Sequence, residues 1–114
     1  MEKMCHSDCQ SSLLPIRDAL EVINGKWKLQ IIVSLSSGNK RFREIERSIP
    51  NLTSKVLAKE LKDLEMHQLI KRTVYDTSPV TVEYALLPYS KTLHKVIEAL
   101  KDWGTAHRKK IMGK

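Results

Sequence analysis

The sequence has few cysteines, no long apolar run and no apolar segment near its start. It contains two cysteines, and no apolar run comes near the roughly 18 residues that a membrane-spanning helix requires. Its first residues, MEKMCHSDCQSS, have no apolar centre of the kind found in secretory signals. We therefore expect a cytoplasmic protein with no membrane partner, in a compartment where thiols stay reduced.

Glycine and aromatic residues are also scarce. The four glycines form no loop suited to holding a phosphate, and no nucleophile stands beside a base and an orienting group. With 5% aromatic residues, Trp27 and Trp103 are expected in a core or an interface rather than stacked on nucleic-acid bases. We expect no enzymatic activity and no cofactor.

Positive charge is what the sequence has in excess. Twenty lysines and arginines face 13 aspartates and glutamates, which gives a formal net charge of +7. Such an excess favours an anionic partner such as nucleic acid. A chain of 114 residues fits one domain with a modest core, so sharing part of that core with a second subunit is plausible.

The hydrophobic pattern predicts one domain over residues 13–112, preceded by a flexible arm of residues 1–12. Helices are expected from about Leu13 to Gly25, with Pro15 in the first turn, and then over about 26–37, 41–49, 53–67 and 90–111. Two alternating segments, 69–76 and 80–87, flank the turn TSP and predict a β-hairpin. A short helix, a turn, an amphipathic helix and a hairpin make a winged helix-turn-helix, which is mainly α with a small β-wing.

The segment LTSKVLAKELKDLE, residues 52–65, carries the strongest functional pattern. Its leucines and its lysines each recur at helical spacing, and each lysine precedes a leucine by two residues, which is roughly 160° around a helix. The leucines are Leu57, Leu61 and Leu64, and the lysines are Lys55, Lys59 and Lys62. We expect the leucines to face the core and the lysines to face the DNA major groove, with Thr53 or Ser54 as the helix cap.

A less specific interpretation of the same pattern stays open. Any solvent-exposed amphipathic helix shows charged residues opposite its apolar ones. Glu60, Asp63 and Glu65 alternate with the lysines and could pair with them. The helix order, the hairpin and the net charge are what favour DNA binding.

Four segments resemble the HxlR-type transcriptional regulators, bacterial winged-helix proteins related in fold to the MarR group. They are INGKWKLQIIVSL (23–35), RFREIERSIPNLTSKVLAKELKDLEMHQLIKRTVY (41–75), VEYALLP (82–88) and ALKDWG (99–104). NGKW is similar to the GGKW of the family, and the second segment follows its pattern of RF-x-E-L, I-P and L-x-x-x-L-x-x-L-E. The resemblance runs from about Leu14 to Gly104.

The resemblance implies a homodimer bound to double-stranded DNA at a roughly palindromic operator. The recognition helix would be residues 53–67, with phosphate contacts from the preceding segment and from the base of the wing. The implied DNA-binding residues are Thr53, Ser54, Lys55, Lys59, Lys62, Arg41, Arg43 and Arg72. In the family the first and last helices form the dimer interface, here Leu13, Ile16, Leu20, Leu93, Val96, Ile97, Leu100 and Trp103.

The sequence departs from the family at the wing and at the sensing cysteine. Thr81 replaces a basic wing residue and Asp76 adds a negative charge, so we expect a weaker wing contact with DNA. Leu14 occupies the position of the cysteine that senses oxidants or electrophiles in some members. Cys5 and Cys9 remain candidate redox residues, but acidic neighbours disfavour a reactive thiolate, and we predict no redox control by them.

Two alternatives to a DNA-binding regulator remain. The first is a protein-interaction module that dimerises through its long last helix. The second is a thiol- or metal-responsive sensor that uses CHSDC, residues 5–9, although one C-x3-C pair with an adjacent histidine is a weak zinc pattern and we predict no metal. Measured binding to duplex DNA would separate the regulator from the interaction module.

Overall fold

The structure is a computed structural model that describes the backbone of residues 6–113 and the side chains of residues 11–113. The elements in chain order are α1 (His6–Ile23), α2 (Lys28–Ser36), α3 (Phe42–Ser48), α4 (Ser54–Met66), β1 (Ile70–Tyr75), β2 (Thr81–Leu86), a 3-10 helix (Pro88–Leu93) and α5 (His94–Met112). The order is that of a winged helix-turn-helix, as the sequence predicts. No helix in the described part of the chain is long and apolar enough to span a membrane.

Two predicted boundaries are wrong. The sequence pattern predicts Pro15 in the first turn of the first helix. In the structure α1 begins at His6, so Pro15 lies inside the helix. Residues 6–12 are therefore helical rather than a flexible arm. A proline inside a helix removes one backbone hydrogen bond, and its ring crowds the preceding turn. The last helix is predicted from about residue 90. In the structure a 3-10 helix spans Pro88–Leu93, and the α-helix α5 begins only at His94.

The core forms where α2, α3 and α4 meet the start of the wing. Each helix contributes the residues of one face, since helical spacing brings every third or fourth side chain to the same side. The buried apolar residues are Ile31, Ile32, Leu35, Ile45, Ile49, Leu52, Leu57, Leu61, Leu64, Leu69 and Ile70. The predicted leucine face of α4 therefore packs on this core.

The wing is a two-stranded antiparallel sheet whose register runs from Ile70↔Leu86 to Tyr75↔Thr81. The N–H of Tyr84 in β2 donates to the carbonyl oxygen of Lys40 at 2.8 Å, which ties the wing to the segment before α3. The N–H of Leu87 donates to the carbonyl oxygen of Leu69 at 2.9 Å and closes the hairpin base. The wing is thus tied through β2 to the segment that precedes α3.

The long helices α1 and α5 lie largely outside the core. No residue of α5 is buried in the single chain, and Trp103 is 69% exposed. On α1, Leu13, Ile16 and Leu20 are also exposed. The molecule is accordingly elongated, with principal extents of 60 × 36 × 23 Å.

Candidate nucleic-acid interface

Helix α4, the predicted recognition helix, begins at a capped N-terminus that the sequence predicted. The hydroxyl of Thr53 accepts a hydrogen bond from the N–H of Val56 at 3.3 Å. This satisfies one of the free backbone donors at the helix start. Thr53 is therefore engaged in capping, and Ser54, Lys55 and Lys59 follow it on the first turns of the helix.

The lysine face of α4 is exposed, whereas its leucine face is buried. Lys55, Lys59 and Lys62 are all exposed. Because the core holds the opposite face, the rotation of α4 about its own axis is set and the three ammonium groups point away from the protein. The structure thus orients the lysines as the sequence predicted.

The acidic residues of α4 do not pair with these lysines. Among the residues that the structure describes, the ion pairs of Glu60 and Asp63 are both made with Lys28 of α2. The Lys28 ammonium lies 3.1 Å from Glu60 Oε2 and 3.4 Å from Asp63 Oδ2. The interpretation in which Glu60 and Asp63 neutralise the lysine face is therefore wrong, and that face keeps its positive charge.

Lys28 is a buried charged residue that our interpretation of the sequence overlooked. It is 5% exposed, and Glu60, its main partner, is 8% exposed. A lysine in an otherwise apolar helix was a usable signal, because a buried lysine requires an anionic partner. Its partner could not be chosen among the 13 acidic residues, because the pairing depends on how α2 packs against α4.

Ser54 lies at the start of α4 beside an acidic residue of α3. Its hydroxyl donates a hydrogen bond to the Glu46 carboxylate. This contact links α3 to the first residue of α4, so it joins the two helices of the helix-turn-helix across the turn. A base contact by Ser54 would require this hydrogen bond to be shared or exchanged.

The start of α3 is fixed by a carboxylate that accepts two backbone hydrogen bonds. The N–H groups of Lys40 and Arg41 donate to Glu44 Oε1 at 2.9 and 3.1 Å. These two backbone hydrogen bonds, with the nearby Arg41 and Arg47, hold the pKa of Glu44 below its usual value. Arg41 and Arg43 are both exposed on this anchored turn.

The wing brings one predicted DNA-binding residue close to α4. Arg72 of β1 and Lys62 of α4 line the same hollow of about 370 Å³, together with Ala58, Glu65 and Tyr84. The two cations therefore face one region at the junction of helix and wing.

At the tip of the hairpin, Thr77 donates to the carbonyl oxygen of Pro79 at 2.7 Å and lies 3.2 Å from the Thr81 hydroxyl.

The predicted dimer residues lie on α1, on α5 and, for Leu93, at the end of the 3-10 helix that precedes α5. Leu13, Ile16, Leu20, Val96, Leu100 and Trp103 are exposed, and Leu93 and Ile97 are half-buried against the core. Trp103 stacks on His107, with ring centroids 4.8 Å apart.

Cys5 lies outside the described residues and the Cys9 side chain lies outside the described side chains, so their predicted role is not placed. In the part of the chain that the structure describes, no group of three potential metal ligands is present.

Comparison with known proteins agrees with this geometry. A family model described as HxlR-like helix-turn-helix matches residues 22–112. The uncharacterized HTH-type transcriptional regulator YtcD of Bacillus subtilis is 39% identical over 100 residues, which are 88% of this chain and 79% of YtcD. A crystal structure of a putative HTH-type regulator ytcD superposes with a TM-score of 0.76 at 41% identity, covering 81% of this chain and 94% of that one.

Two further solved structures cover nearly the whole chain. A transcriptional regulator of the MarR family from Enterococcus faecalis V583 superposes with a TM-score of 0.74 at 34% identity, covering 96% of each chain. The reduced form of the regulator YodB from B. subtilis superposes with a TM-score of 0.73 at 28% identity, covering 98% of this chain and 99% of that chain. A structure of diamide-treated YodB is also similar, with a TM-score of 0.69.

Proposed function

Because the chain belongs to the HxlR-like helix-turn-helix family, and is thus a transcriptional regulator of the helix-turn-helix type, we propose that it binds a roughly palindromic operator as a homodimer. In this proposal α4 lies in the major groove, and Ser54, Lys55 and Lys59 reach the base edges and flanking phosphates. Lys62, Arg41, Arg43 and Arg72 contact the backbone. The protein works in the cytoplasm, where the DNA is, and has no enzymatic activity.

The observation that carries the proposal is the row of exposed lysines on α4. Lys55, Lys59 and Lys62 make no ion pair with any residue that the structure describes, whereas Glu60 and Asp63 are bound by Lys28. Lysines that are not paired with Glu60 or Asp63 keep a positive charge that attracts phosphate. The exposed Arg41 and Arg43 of the preceding turn extend the same positive surface.

Replacing Lys59 or Lys55 by alanine tests this interface. If the lysine contacts a phosphate, the salt dependence of operator binding should fall by about one for each contact removed. If it reads a base, affinity should drop by roughly 1–3 kcal/mol with relaxed specificity at one operator position. The operator is first selected from genomic fragments, and affinity is then measured across salt concentrations.

Lys101→Ala is the matched control, because Lys101 is an exposed lysine on α5 rather than α4. It should leave the salt dependence close to that of the wild type. Wild-type behaviour of both α4 variants at every salt concentration would show that α4 is not the recognition helix. Absence of specific duplex binding by the wild type would favour the protein-interaction module.

The homodimer accounts for the exposed apolar faces of α1 and α5. In α5, Val96, Leu100, Trp103 and His107 follow a spacing of four, three and four residues, which places them along one side of the helix. A monomer would leave this side in contact with water together with the apolar residues of α1. A two-fold dimer that covers them would hold its recognition helices about 34 Å apart, one turn of DNA.

A Leu100→Glu variant should be monomeric at micromolar concentration. It places a carboxylate in the middle of the apolar side of α5, where dimerisation would bury an unpaired charge, so the dimer dissociation constant should rise at least about a hundredfold. Thr105→Glu introduces the same charge on the other side of α5 and should leave the dimer intact. Sedimentation velocity distinguishes them, and a wild-type monomer at micromolar concentration would contradict the dimer itself.

Thiol sensing is a second candidate function because similar structures include YodB in reduced and diamide-treated forms. We expect operator affinity to change less than about tenfold, roughly 1.4 kcal/mol, when the protein is treated with diamide. The comparison uses the wild type and a Cys5→Ser, Cys9→Ser double variant. A larger change in the wild type that is absent from the double variant would make these cysteines a sensor.

A further inference from the structure

The ammonium group of Lys28 lies between α4 and the turn that joins α1 to α2. It donates hydrogen bonds to Glu60 Oε2 and Oε1 of α4, at 3.1 and 3.3 Å, and to Asn24 Oδ1 at 3.4 Å. Asn24 directly follows the last residue of α1, and Lys28 is the first residue of α2. One side chain therefore joins the turn that follows α1, the start of α2 and the proposed recognition helix α4.

This contact is unlike the leucine contacts that hold the same face of α4. An apolar interface tolerates small rotations and translations, because dispersion contacts are non-directional. A buried ammonium that donates to carboxylate and amide oxygens is directional, since each hydrogen bond weakens steeply away from its preferred angle. Such a group adds little stability compared with apolar residues, but it distinguishes one arrangement of the helices from others.

The acceptors are also arranged along α4. Glu60 and Asp63 are three residues apart, on adjacent turns, and both reach the same ammonium. A change in the register of α4 by one residue would displace the two carboxylates by about 1.5 Å along the helix axis and by about 100° around it. Neither carboxylate would then lie within hydrogen-bonding distance of Lys28.

We propose that Lys28 is a positioning residue of the DNA interface, which holds α4 in one orientation relative to the end of α1. The inference rests on the proposed operator-binding dimer, in which α1 contributes to the subunit contact. In that dimer the placement of α4 against α1 sets the distance and angle between the two recognition helices. Lys28 touches no DNA, and its effect is on which half-site spacing the dimer accepts.

The test uses a variant in which the buried pair is replaced rather than broken. A Lys28→Met, Glu60→Met double variant keeps side chains of similar length and leaves no buried carboxylate without a partner, because Asp63, the other partner of Lys28, is partly exposed to water. Replacing a buried pair by apolar residues in this way is often neutral for stability. Lys26→Met, Asp102→Met is the matched control, because it removes one positive and one negative charge from exposed positions outside the proposed DNA interface. Thermal unfolding first establishes that all three proteins are folded.

The readout is the ratio of affinities for the selected operator and for the same operator with one base pair added at its centre. The addition moves one half-site by about 3.4 Å along the DNA and turns it by about 35°. The wild type and the control should discriminate strongly between these two DNAs. The Lys28→Met, Glu60→Met variant should discriminate at least about fivefold less, with the salt dependence of binding unchanged because the lysine face is intact.

The two levels of the argument fail differently. If the wild type binds no specific operator, or is a monomer, the proposed function falls and this inference falls with it. If the wild type discriminates by spacing and the folded Lys28→Met, Glu60→Met variant discriminates equally well, only the role of Lys28 is refuted. A parallel loss in the control would also refute it, because charge removal alone would then be the cause.

Discussion

A Lys28→Met variant should be less stable than the wild type by about 3–5 kcal/mol, because it leaves a buried carboxylate without a counter-charge. The side chain of Glu60 is only 10% exposed and its ion pair with Lys28 is the contact that compensates its burial. Methionine supplies a similar chain length but no donor. Since a domain of this size is stabilised by only about 5–15 kcal/mol, a large part of its stability would be lost.

Two companion variants separate charge from packing in this experiment. Lys26→Met removes an exposed lysine two residues earlier, whose ammonium lies over the Trp27 ring, and should cost about 0.5–1 kcal/mol at most. Lys28→Met, Glu60→Met should recover most of the lost stability. Denaturation in urea at one fixed protein concentration gives the three values. Equal stability of Lys28→Met and the wild type would mean that the ion pair does not hold α4 on α2.

A Leu57→Ala variant should lose about 2–5 kcal/mol of its free energy of unfolding. Leu57 is 0% exposed in the core between α2, α3 and α4, so the truncation leaves a cavity in addition to removing apolar contacts. The DNA-contacting lysines are unchanged, so the folded fraction should keep its salt dependence. Loss of operator binding should follow the unfolded fraction.

Met66→Ala is the control for this second prediction. Met66 is the last residue of α4 and is 75% exposed, so its truncation should alter stability by less than about 0.5 kcal/mol. Protein concentration must be held constant, because dimerisation would add a mass-action term to the apparent stability. A Leu57→Ala protein as stable as Met66→Ala would show that the leucine face of α4 is not buried.

The elements and the face of α4 followed from local patterns. The spacing of Leu57, Leu61 and Leu64 against Lys55, Lys59 and Lys62 depends only on the period of a helix, and the structure confirms the buried and exposed sides. The hairpin was predicted within one residue at each strand end. These features could be predicted because each is encoded within about 15 consecutive residues, the range over which hydrophobic periodicity operates.

The start of α1 could not be predicted in the same way. A proline near the start of an apolar pattern marks a first turn in most helices, and Pro15 was interpreted so. The upstream residues of α1, HSDCQSS, are mostly weak helix formers, so no local signal in the sequence marked His6 as the start of the helix.

By itself the sequence determined the winged helix-turn-helix order, the membership of the HxlR-like family and the separation of leucine and lysine faces on α4. Only the tertiary structure decided that Glu60 and Asp63 bind Lys28 and leave the lysine face unpaired. The physical reason is range. A helix face repeats within a few residues, whereas Lys28 and Glu60 are 32 residues apart, and their contact exists only once α2 and α4 have packed on a common core.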